Sequence, residues 1–233
     1  MTTLGLYGCK QAPGATTLAL ALAASLDEDD GAIVVEADPQ GGDIAAMTGR
    51  PPTPGLLSLA AAGRNGSPVD MAGHVQMLPA GGAALVAPSD PLQVTAALAA
   101  IGDRLLTLAS SGAHHVIVDR GRSDPGGAAD VALLVCHPTL AGVEQARIRW
   151  EALTSLHTQV LLTITDDGPY RPDEVAAALS VPVLACIPRD PRGAAALAGR
   201  TSGRGLRRSP LLRTAATLAD ELRTRADATE PAW

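Results

Sequence analysis

The chain has 233 residues, of which 46% are apolar and 18% charged, and its formal net charge is −6. This length and apolar content predict one domain with a sizeable core. The negative charge argues against binding nucleic acid over the whole surface, although it leaves room for a local basic face. We find no signal peptide and no apolar run long enough to span a membrane, so the expected location is the cytoplasm, with recruitment to a cell pole, a membrane surface or the nucleoid left open.

The three cysteines are Cys9, Cys136 and Cys186. Their odd number, their wide spacing and their apolar neighbours predict buried, reduced thiols instead of disulfides or a metal site. A reducing cytoplasm fits this prediction.

Short apolar runs alternate with Ala/Leu-rich stretches along the chain. The runs at 3–8 and 32–37 flank a helical stretch at 16–26, which predicts a βαβ unit. Further strands are predicted at 85–87, 116–119, 131–137, 160–165 and 183–187, and further helices at 91–110, 142–156, 172–179, 193–198 and 210–226. Continuous apolar strands that alternate with helices predict an α/β fold, a doubly wound, mainly parallel sheet with helices on both faces. The Pro/Gly-rich stretches at 49–55 and 199–210 are predicted to be surface loops.

The first segment with chemical meaning follows the first strand and has the sequence GCKQAPGATT. Gly14 allows a tight turn around an anion, and Thr16 and Thr17 begin a helix whose free N–H groups and dipole favour phosphate. Lys10 is the single lysine of the chain, and its compact charge on a flexible stem suits a phosphate oxygen. The hydroxyl of Thr16 is also a candidate ligand of Mg²⁺.

Two further strands end in an aspartate. Asp38 follows the second strand in VVEADPQGGD, where Asp43 is expected to cap the next element, and Asp119 ends a later strand in HHVIVDRGR. Both carboxylates are expected at the carboxyl edge of the sheet beside the first loop, Asp119 in a position suited to hold Mg²⁺ through water. Each signal alone is weak because strands commonly end at the surface, but their order and spacing together are specific.

With these three segments the chain resembles the ParA/MinD family of P-loop ATPases, whose deviant Walker A loop has the pattern KGGxGKTT. In this resemblance Lys10 takes the position of the signature lysine, Gly14 that of the glycine before the usual P-loop lysine, and Thr16 that of the magnesium ligand. Asp38 matches the aspartate of the family's switch segment, and Asp119 matches the Walker B aspartate.

The resemblance covers residues 1–200 and implies a P-loop domain that binds ATP and Mg²⁺. It implies that Lys10, Gly14, Ala15, Thr16 and Thr17 hold the nucleotide, that Thr16 and Asp119 hold the metal, and that Asp38 places the attacking water. It also implies a face-to-face dimer that depends on ATP, in which Lys10 reaches the partner's nucleotide and so shares in catalysis. Within the family, the CpaE/TadZ-like branch is the suggested relative. That branch is associated with the placement of Tad/Flp-type pili and related secretion machinery.

The chain departs from the family pattern inside the loop. Ala15 stands where the family has its P-loop lysine, and Gln11 and Ala12 replace the two glycines after the signature lysine. A lost charge-assisted contact to phosphate typically removes about 1.5–3 kcal/mol, and it also removes stabilisation of the transition state. Hydrolysis is therefore expected to suffer more than binding.

Residues 201–233 are expected to form an Arg-rich loop and a final helix packed on the same domain. The loop belongs to the run GRTSGRGLRRSPLLR, which contains no acidic residue. The run is interpreted either as a solvated loop or as a surface for an anionic partner such as DNA or lipid headgroups. Its arginines are Arg200, Arg204, Arg207, Arg208 and Arg213.

Three functions remain open from the sequence. The first is a weak ATPase that positions pilus or secretion machinery, the second a non-hydrolysing dimeric scaffold, and the third a partitioning ATPase that binds DNA through the arginine run. The negative net charge favours the first two over the third. His114 and His115 are adjacent on a strand, so their side chains point to opposite faces and a shared metal is not expected.

Overall fold

The computed structural model describes residues 2–9, 14–64, 70–111, 115–122, 129–157, 159–202 and 205–227. Within these residues, eight strands form one sheet in the order β3-β4-β2-β5-β1-β6-β7-β8. All neighbouring strands are parallel except β3 and β4. The strands are β1 (Thr2–Gly8), β2 (Ala32–Glu36), β3 (Gln76–Met77), β4 (Ala83–Leu85), β5 (His115–Asp119), β6 (Val131–Cys136), β7 (Val160–Thr165) and β8 (Val183–Ile187).

Helices cover both faces of the sheet. They are α1 (Ala15–Asp30), α2 (Ile44–Thr48), α3 (Leu56–Arg64), α4 (Pro91–Ile101), α5 (Arg104–Ser110), α6 (Leu140–Thr154), α7 (Pro172–Leu179), α8 (Pro191–Leu197) and α9 (Pro210–Asp227). Residues of α1, α8 and α9 share one core cluster with β1 and β6, whereas α3 to α7 pack on the opposite face. The predicted doubly wound α/β fold is confirmed.

Alternation along the central strands builds these two core layers. Leu4 and Leu6 of β1 point into the layer under α1, while Tyr7 and Cys9 point into the layer under α6. Both faces of each central strand are buried, which explains why these strands are continuous apolar runs in the sequence. Cys9 and Cys136 are buried, Cys186 is half-buried, and all three thiols are free.

Two predicted elements differ from the structure. The helix predicted at 91–110 is interrupted at Gly102, whose φ of 57° and ψ of −144° lie outside the helical region, so α4 ends there and α5 follows. The strand predicted at 85–87 lies at Ala83–Leu85 instead. The backbone of the following residues is bonded elsewhere, since Val86 accepts from Leu56 and Ala87 donates to Glu36.

The last helix, α9, packs against α1 and β8. Its apolar stripe is buried in the core cluster under α1: Leu211, Leu212, Ala215, Leu218, Ala219 and Leu222. Within the described ranges, no single helix combines the length and the apolar composition of a membrane span, and α4 and α5 reach them only together, across a bend of 81°.

Candidate functional site

The first turn of α1 faces the carboxyl edge of the sheet and presents free backbone donors. Gly14 precedes the helix in a left-handed conformation, with φ 112° and ψ 3°. The first helical bond runs from the N–H of Leu18 to the carbonyl of Gly14, at 2.7 Å. The N–H groups of Ala15, Thr16 and Thr17 therefore have no acceptor within the helix, which is the arrangement that binds phosphate. Lys10 lies outside the described residues.

The structure brings Thr16 and Asp119 together. Asp119 ends β5 and is only 3% exposed, between Leu6 of β1 and Glu36 of β2 in the strand register. The side chain of Thr16 lies near its carboxylate and lowers the pKa of Asp119 by hydrogen bonding. The N–H of Gly121 donates to Oδ1 of Asp119 at 3.0 Å. A hydroxyl and a carboxylate thus meet beside the free N–H groups of α1.

Burial raises the pKa of Asp119, while its hydrogen bonds with Thr16 and Gly121 act in the opposite direction. The negative charges of Asp38 and Asp43 raise it further. A buried carboxylate among like charges gains from a nearby cation. The hydroxyl and carboxylate oxygens present here are hard ligands of the kind that Mg²⁺ prefers.

Asp38 lies next to this pair, on the segment after β2. Its Oδ1 accepts from the N–H of Gln40 at 2.9 Å. The turn after β5 passes directly against its carboxylate: a Cβ added to Gly121, whose φ is +51°, would lie 1.7 Å from Oδ2 of Asp38. The carbonyl of Gly121 in turn accepts from Gly8 at the end of β1, at 2.6 Å. Glycine is required at this turn, and the turn connects Asp38 and Asp119 to the central strand.

Glu36 is a functional candidate that the sequence analysis missed. It is the last residue of β2, it is 3% exposed, and its carboxylate accepts three backbone N–H groups. Burial raises its pKa to about 7, against the effect of these hydrogen bonds.

The predicted capping role of Asp43 is wrong in one respect. Asp43 occupies the N-cap position of α2, but its side chain makes no capping bond, and Glu36 accepts the N–H of Ile44 instead.

A cavity of about 410 Å³ extends from the first turn of α1 towards the end of β8. Gly14 and Thr17 line one end, and Asp167, Arg189 and Asp190 line the other. Asp190 caps α8 by accepting from the N–H of Gly193 at 2.8 Å. The cavity gives room for a ligand that begins at the α1 donors.

The wall of this cavity carries a polar cluster from the ends of β6 and β7. Nδ1 of His137 lies 2.8 Å from Oγ1 of Thr165 and 3.1 Å from Oδ1 of Asp167. Hydrogen bonding from Thr165 is the largest cause that lowers the pKa of Asp167, and the proximity of His137 lowers it further. The sequence analysis missed this cluster because its residues follow different strands and form no local motif.

Most of the residues singled out by sequence thus meet at one edge of the sheet. Gly14, Thr16, Thr17, Asp38 and Asp119 lie there, on α1 and on the segments after β2 and β5. Ala15 is also there, but its side chain is only 8% exposed and carries no charge. His115 is buried in β5, and His114 lies outside the described residues.

Comparison with known proteins identifies the fold. No family model and no curated protein matches the chain. Among solved structures, a ParA family ATPase from Chlorobium tepidum has a TM-score of 0.76 at 17% identity, over 94% of this chain and 99% of that chain. The septum site-determining protein MinD of Pyrococcus horikoshii, complexed with Mg-ADP, has a TM-score of 0.73 at 19% identity, over 100% of both chains.

A cobyrinic acid a,c-diamide synthase from Mycobacterium smegmatis, with bound ADP and magnesium, has a TM-score of 0.69 at 20% identity, over 99% of this chain and 98% of that chain. The chain therefore has the fold of the ParA/MinD-type P-loop ATPases, as the sequence predicted. Because a biosynthetic enzyme shares the fold, function has to be argued from the site itself.

Proposed function

We propose that this protein is a nucleotide-dependent switch of the ParA/MinD type, which binds ATP with Mg²⁺ and hydrolyses it slowly. The observation that carries the proposal is the buried Asp119 carboxylate beside the first turn of α1, whose first helical bond leaves the preceding N–H groups free and whose Thr16 influences that carboxylate. The cavity of about 410 Å³ that opens from Gly14 and Thr17 supports it, because it gives the rest of a nucleotide a place beside these donors.

We assign a separate role in nucleotide binding and hydrolysis to each group of residues. The free N–H groups of the α1 first turn, together with Lys10, hold the phosphates, and Thr16 and Asp119 hold the metal, Asp119 through water. When bound, Mg²⁺ neutralises charge on the phosphates. Asp38 orients the attacking water from its position beside Gly121.

Slow turnover follows from Ala15. A buried methyl group occupies the place of the resembled family's P-loop lysine, so the negative charge that develops on the transferred phosphoryl group lacks a cation there. The donors that bind the ground state remain. Binding is therefore retained better than hydrolysis, and a scaffold that binds ATP without turnover is the alternative form of the same proposal.

The biological role that we propose is spatial. In one nucleotide state the protein dimerises and binds a partner or a surface in the cytoplasm. In the other nucleotide state the protein releases that partner or surface. The CpaE/TadZ-like branch, with pilus or secretion machinery as partner, is the suggested assignment because that branch often has a degraded Walker A loop. Residues 1–200 would form the switch domain, with 201–233 packed on it.

Calorimetric titration with a non-hydrolysable ATP analogue and Mg²⁺ tests the proposal. Thr16→Val should weaken binding by about tenfold, because the metal loses a ligand. Thr154→Val is the matched control, since Thr154 is an exposed threonine on α6 whose hydroxyl donates to carbonyls of its own helix, and it should bind like wild type. A folded wild-type protein that gives no heat at millimolar nucleotide would rule out the nucleotide switch.

A second candidate is a DNA-binding partitioning ATPase, which the charge distribution of the C-terminal part favours. Residues 191–219 contain six arginines and no acidic residue, in a chain of net charge −6. Arg192 and Arg208 are exposed and line a cavity of about 470 Å³ with Thr201, Ser202 and Ser209. Of the predicted run, Arg200 donates to the carbonyl of Met47, and Arg204 lies outside the described residues.

Binding to duplex DNA over a range of salt concentrations tests this candidate. Arg192→Ala with Arg208→Ala should reduce the salt slope by about two if both side chains contact phosphates. Arg171→Ala is the control, because Arg171 is exposed but paired with Asp173. Equal binding by all three proteins would exclude this surface as the DNA site.

A further inference from the structure

We propose that Glu36 is the positioning residue for Asp38: its buried carboxylate fixes both ends of the segment that carries Asp38 and ties that segment to the chain after β4. The inference rests on the proposed function, in which Asp38 orients the attacking water. Glu36 itself faces the protein interior, so we assign it no contact with the nucleotide.

The hydrogen bonds of Glu36 span the Asp38 segment. Oε1 accepts from the N–H of Asp43 at 2.7 Å and from that of Ile44 at 2.8 Å. Oε2 accepts from the N–H of Ala87 at 2.8 Å. Since Asp38 lies between Glu36 and Asp43 in the chain, one carboxylate closes the loop around it and anchors the loop to a third element.

The closed loop packs closely against the residues that follow β4. A Cβ added to Gly42 would lie 2.5 Å from the carbonyl oxygen of Ala87 and 2.7 Å from Oε2 of Glu36. A Cβ added to Gly41, whose φ is +115°, would lie 2.5 Å from the carbonyl oxygen of Ser89. The N–H of Gly42 also donates to the carbonyl of Pro88 at 2.8 Å. Displacement of Glu36 would therefore move the backbone on which Asp38 stands.

The geometry of this clamp depends on two acceptor oxygens in one side chain. Three N–H donors converge on two oxygens, and a carboxylate is the side chain that only accepts. The amide of glutamine would turn an NH₂ group towards at least one of these donors and break its bond. Glu36→Gln is thus an isosteric change that loosens the loop and leaves Thr16 and Asp119 in place.

Amide hydrogen exchange tests the clamp directly, whether or not ATP is hydrolysed. In Glu36→Gln the amides of Asp43, Ile44 and Ala87 should exchange at least tenfold faster than in wild type. Gln76→Met is the control, because buried Gln76 likewise holds a loop by donating to the carbonyls of Pro51 and Pro54. It should leave those three amides unchanged. Unchanged protection in Glu36→Gln would overturn the proposal.

Kinetics test the link to Asp38. Glu36→Gln should lower kcat by about tenfold to a hundredfold, as expected for a misplaced catalytic group, with KM for ATP within about twofold of wild type because the phosphate donors are untouched. Combined with Asp38→Asn it should cause little further loss, since both changes remove the same contribution. Additive losses would overturn the positioning role. Should Glu36→Gln not fold, Gly42→Ala displaces the same segment without altering charge and should lower kcat in the same way.

Turnover that is absent in the wild-type protein would defeat the hydrolysis part of the proposed function, while the exchange experiment would still decide whether Glu36 fixes the segment. If the amides of Glu36→Gln exchange fast but its turnover is normal, Glu36 fixes the segment but does not position Asp38 for hydrolysis. The two proposals therefore fail separately.

Discussion

The acidic half and the phosphate half of the candidate site differ in how completely they are built. In the acidic half, Glu36, Asp38 and Asp119 each accept backbone N–H groups and are held by glycine turns with no spare room. In the phosphate half, the first turn of α1 offers backbone donors, but Ala15 contributes only a buried methyl group. Under the proposed function, the groups that would place metal and water are all held by the fold, whereas Ala15 offers the phosphates no cation.

The two halves also differ in their effect on the folding stability of the protein. Burial raises the pKa of both Glu36 and Asp119, so each ionised carboxylate is less favourable in the folded protein than in water. A bound cation offsets this cost at Asp119. Under the proposed function, a bound metal ion would therefore stabilise the acidic half, whereas Ala15 leaves the phosphate half without a charge.

The largest expected effect comes from removing the charge of Asp119. Asp119→Asn should melt at the same temperature as wild type or higher without ligand, because a buried charge is gone. It should lose the stabilisation that Mg²⁺ and nucleotide give, with binding weakened by about a hundredfold. Thermal unfolding with and without Mg²⁺ and ATP analogue measures both.

Asp130→Asn is the matched control, because Asp130 also accepts a backbone N–H, that of Thr3 at 2.6 Å, but lies at the other end of the strands. Its stabilisation by ligand should equal that of wild type. An Asp119→Asn protein that is still stabilised normally by Mg²⁺ and nucleotide would remove Asp119 from the metal site.

A second prediction concerns the pH dependence of stability. The pKa of Glu36 rises from 4.5 to about 7 on folding. A carboxyl group with a raised pKa in the folded state binds its proton more tightly there, so its stabilising contribution is fully present below pH 4.5 and is lost as pH rises through 7. The difference amounts to roughly 3 kcal/mol. Denaturant unfolding from pH 4.5 to 8 should show this loss in wild type but not in Glu36→Gln, and parallel curves would contradict it.

The fold was predictable because its signal is local and repeated. Each central strand is an apolar run and each helix a longer Ala/Leu-rich stretch, so the order of elements follows from periodicity. The break at Gly102 was not predicted, since an isolated glycine within a helical pattern can be tolerated and does not by itself end the helix. The shift of the strand to Ala83–Leu85 follows from bonds that Val86 and Ala87 make with distant residues.

The candidate site was predictable only where its residues form motifs. Gly14, Thr16, Asp38 and Asp119 belong to short segments with recognisable order. Glu36 stood inside one of these segments, and an acidic residue ending an apolar run was a signal for it. Its role nevertheless depends on Ala87, which is distant in sequence. The cluster of His137 with Thr165 and Asp167 had no signal of either kind.

A third prediction is that restoring charge to the phosphate half raises turnover. Ala15→Lys should increase the ATPase rate by about tenfold or more, because a charge-assisted contact to phosphate is worth about 1.5–3 kcal/mol. Ala15→Gln, which has similar length but no charge, is the control and should not increase the rate. Steady-state phosphate release measures it. If Ala15→Lys improves binding and leaves the rate at background, the assignment of Asp38 as the water-placing residue is wrong.

The smallest effect on the fold is expected at Lys10, which is proposed to act across the dimer. We propose that the Lys10 ammonium serves the nucleotide and not the core, so Lys10→Ala should melt like wild type. It should nevertheless stay monomeric with nucleotide, because in the resembled family this lysine contacts the partner's phosphates. Lys10→Arg should restore dimers poorly, since a planar guanidinium does not replace a compact ammonium in a narrow phosphate site. Sedimentation with and without ATP analogue decides this. A wild-type protein that is dimeric in both conditions, with Lys10→Ala unchanged, would show that the phosphate half has no role in dimerisation.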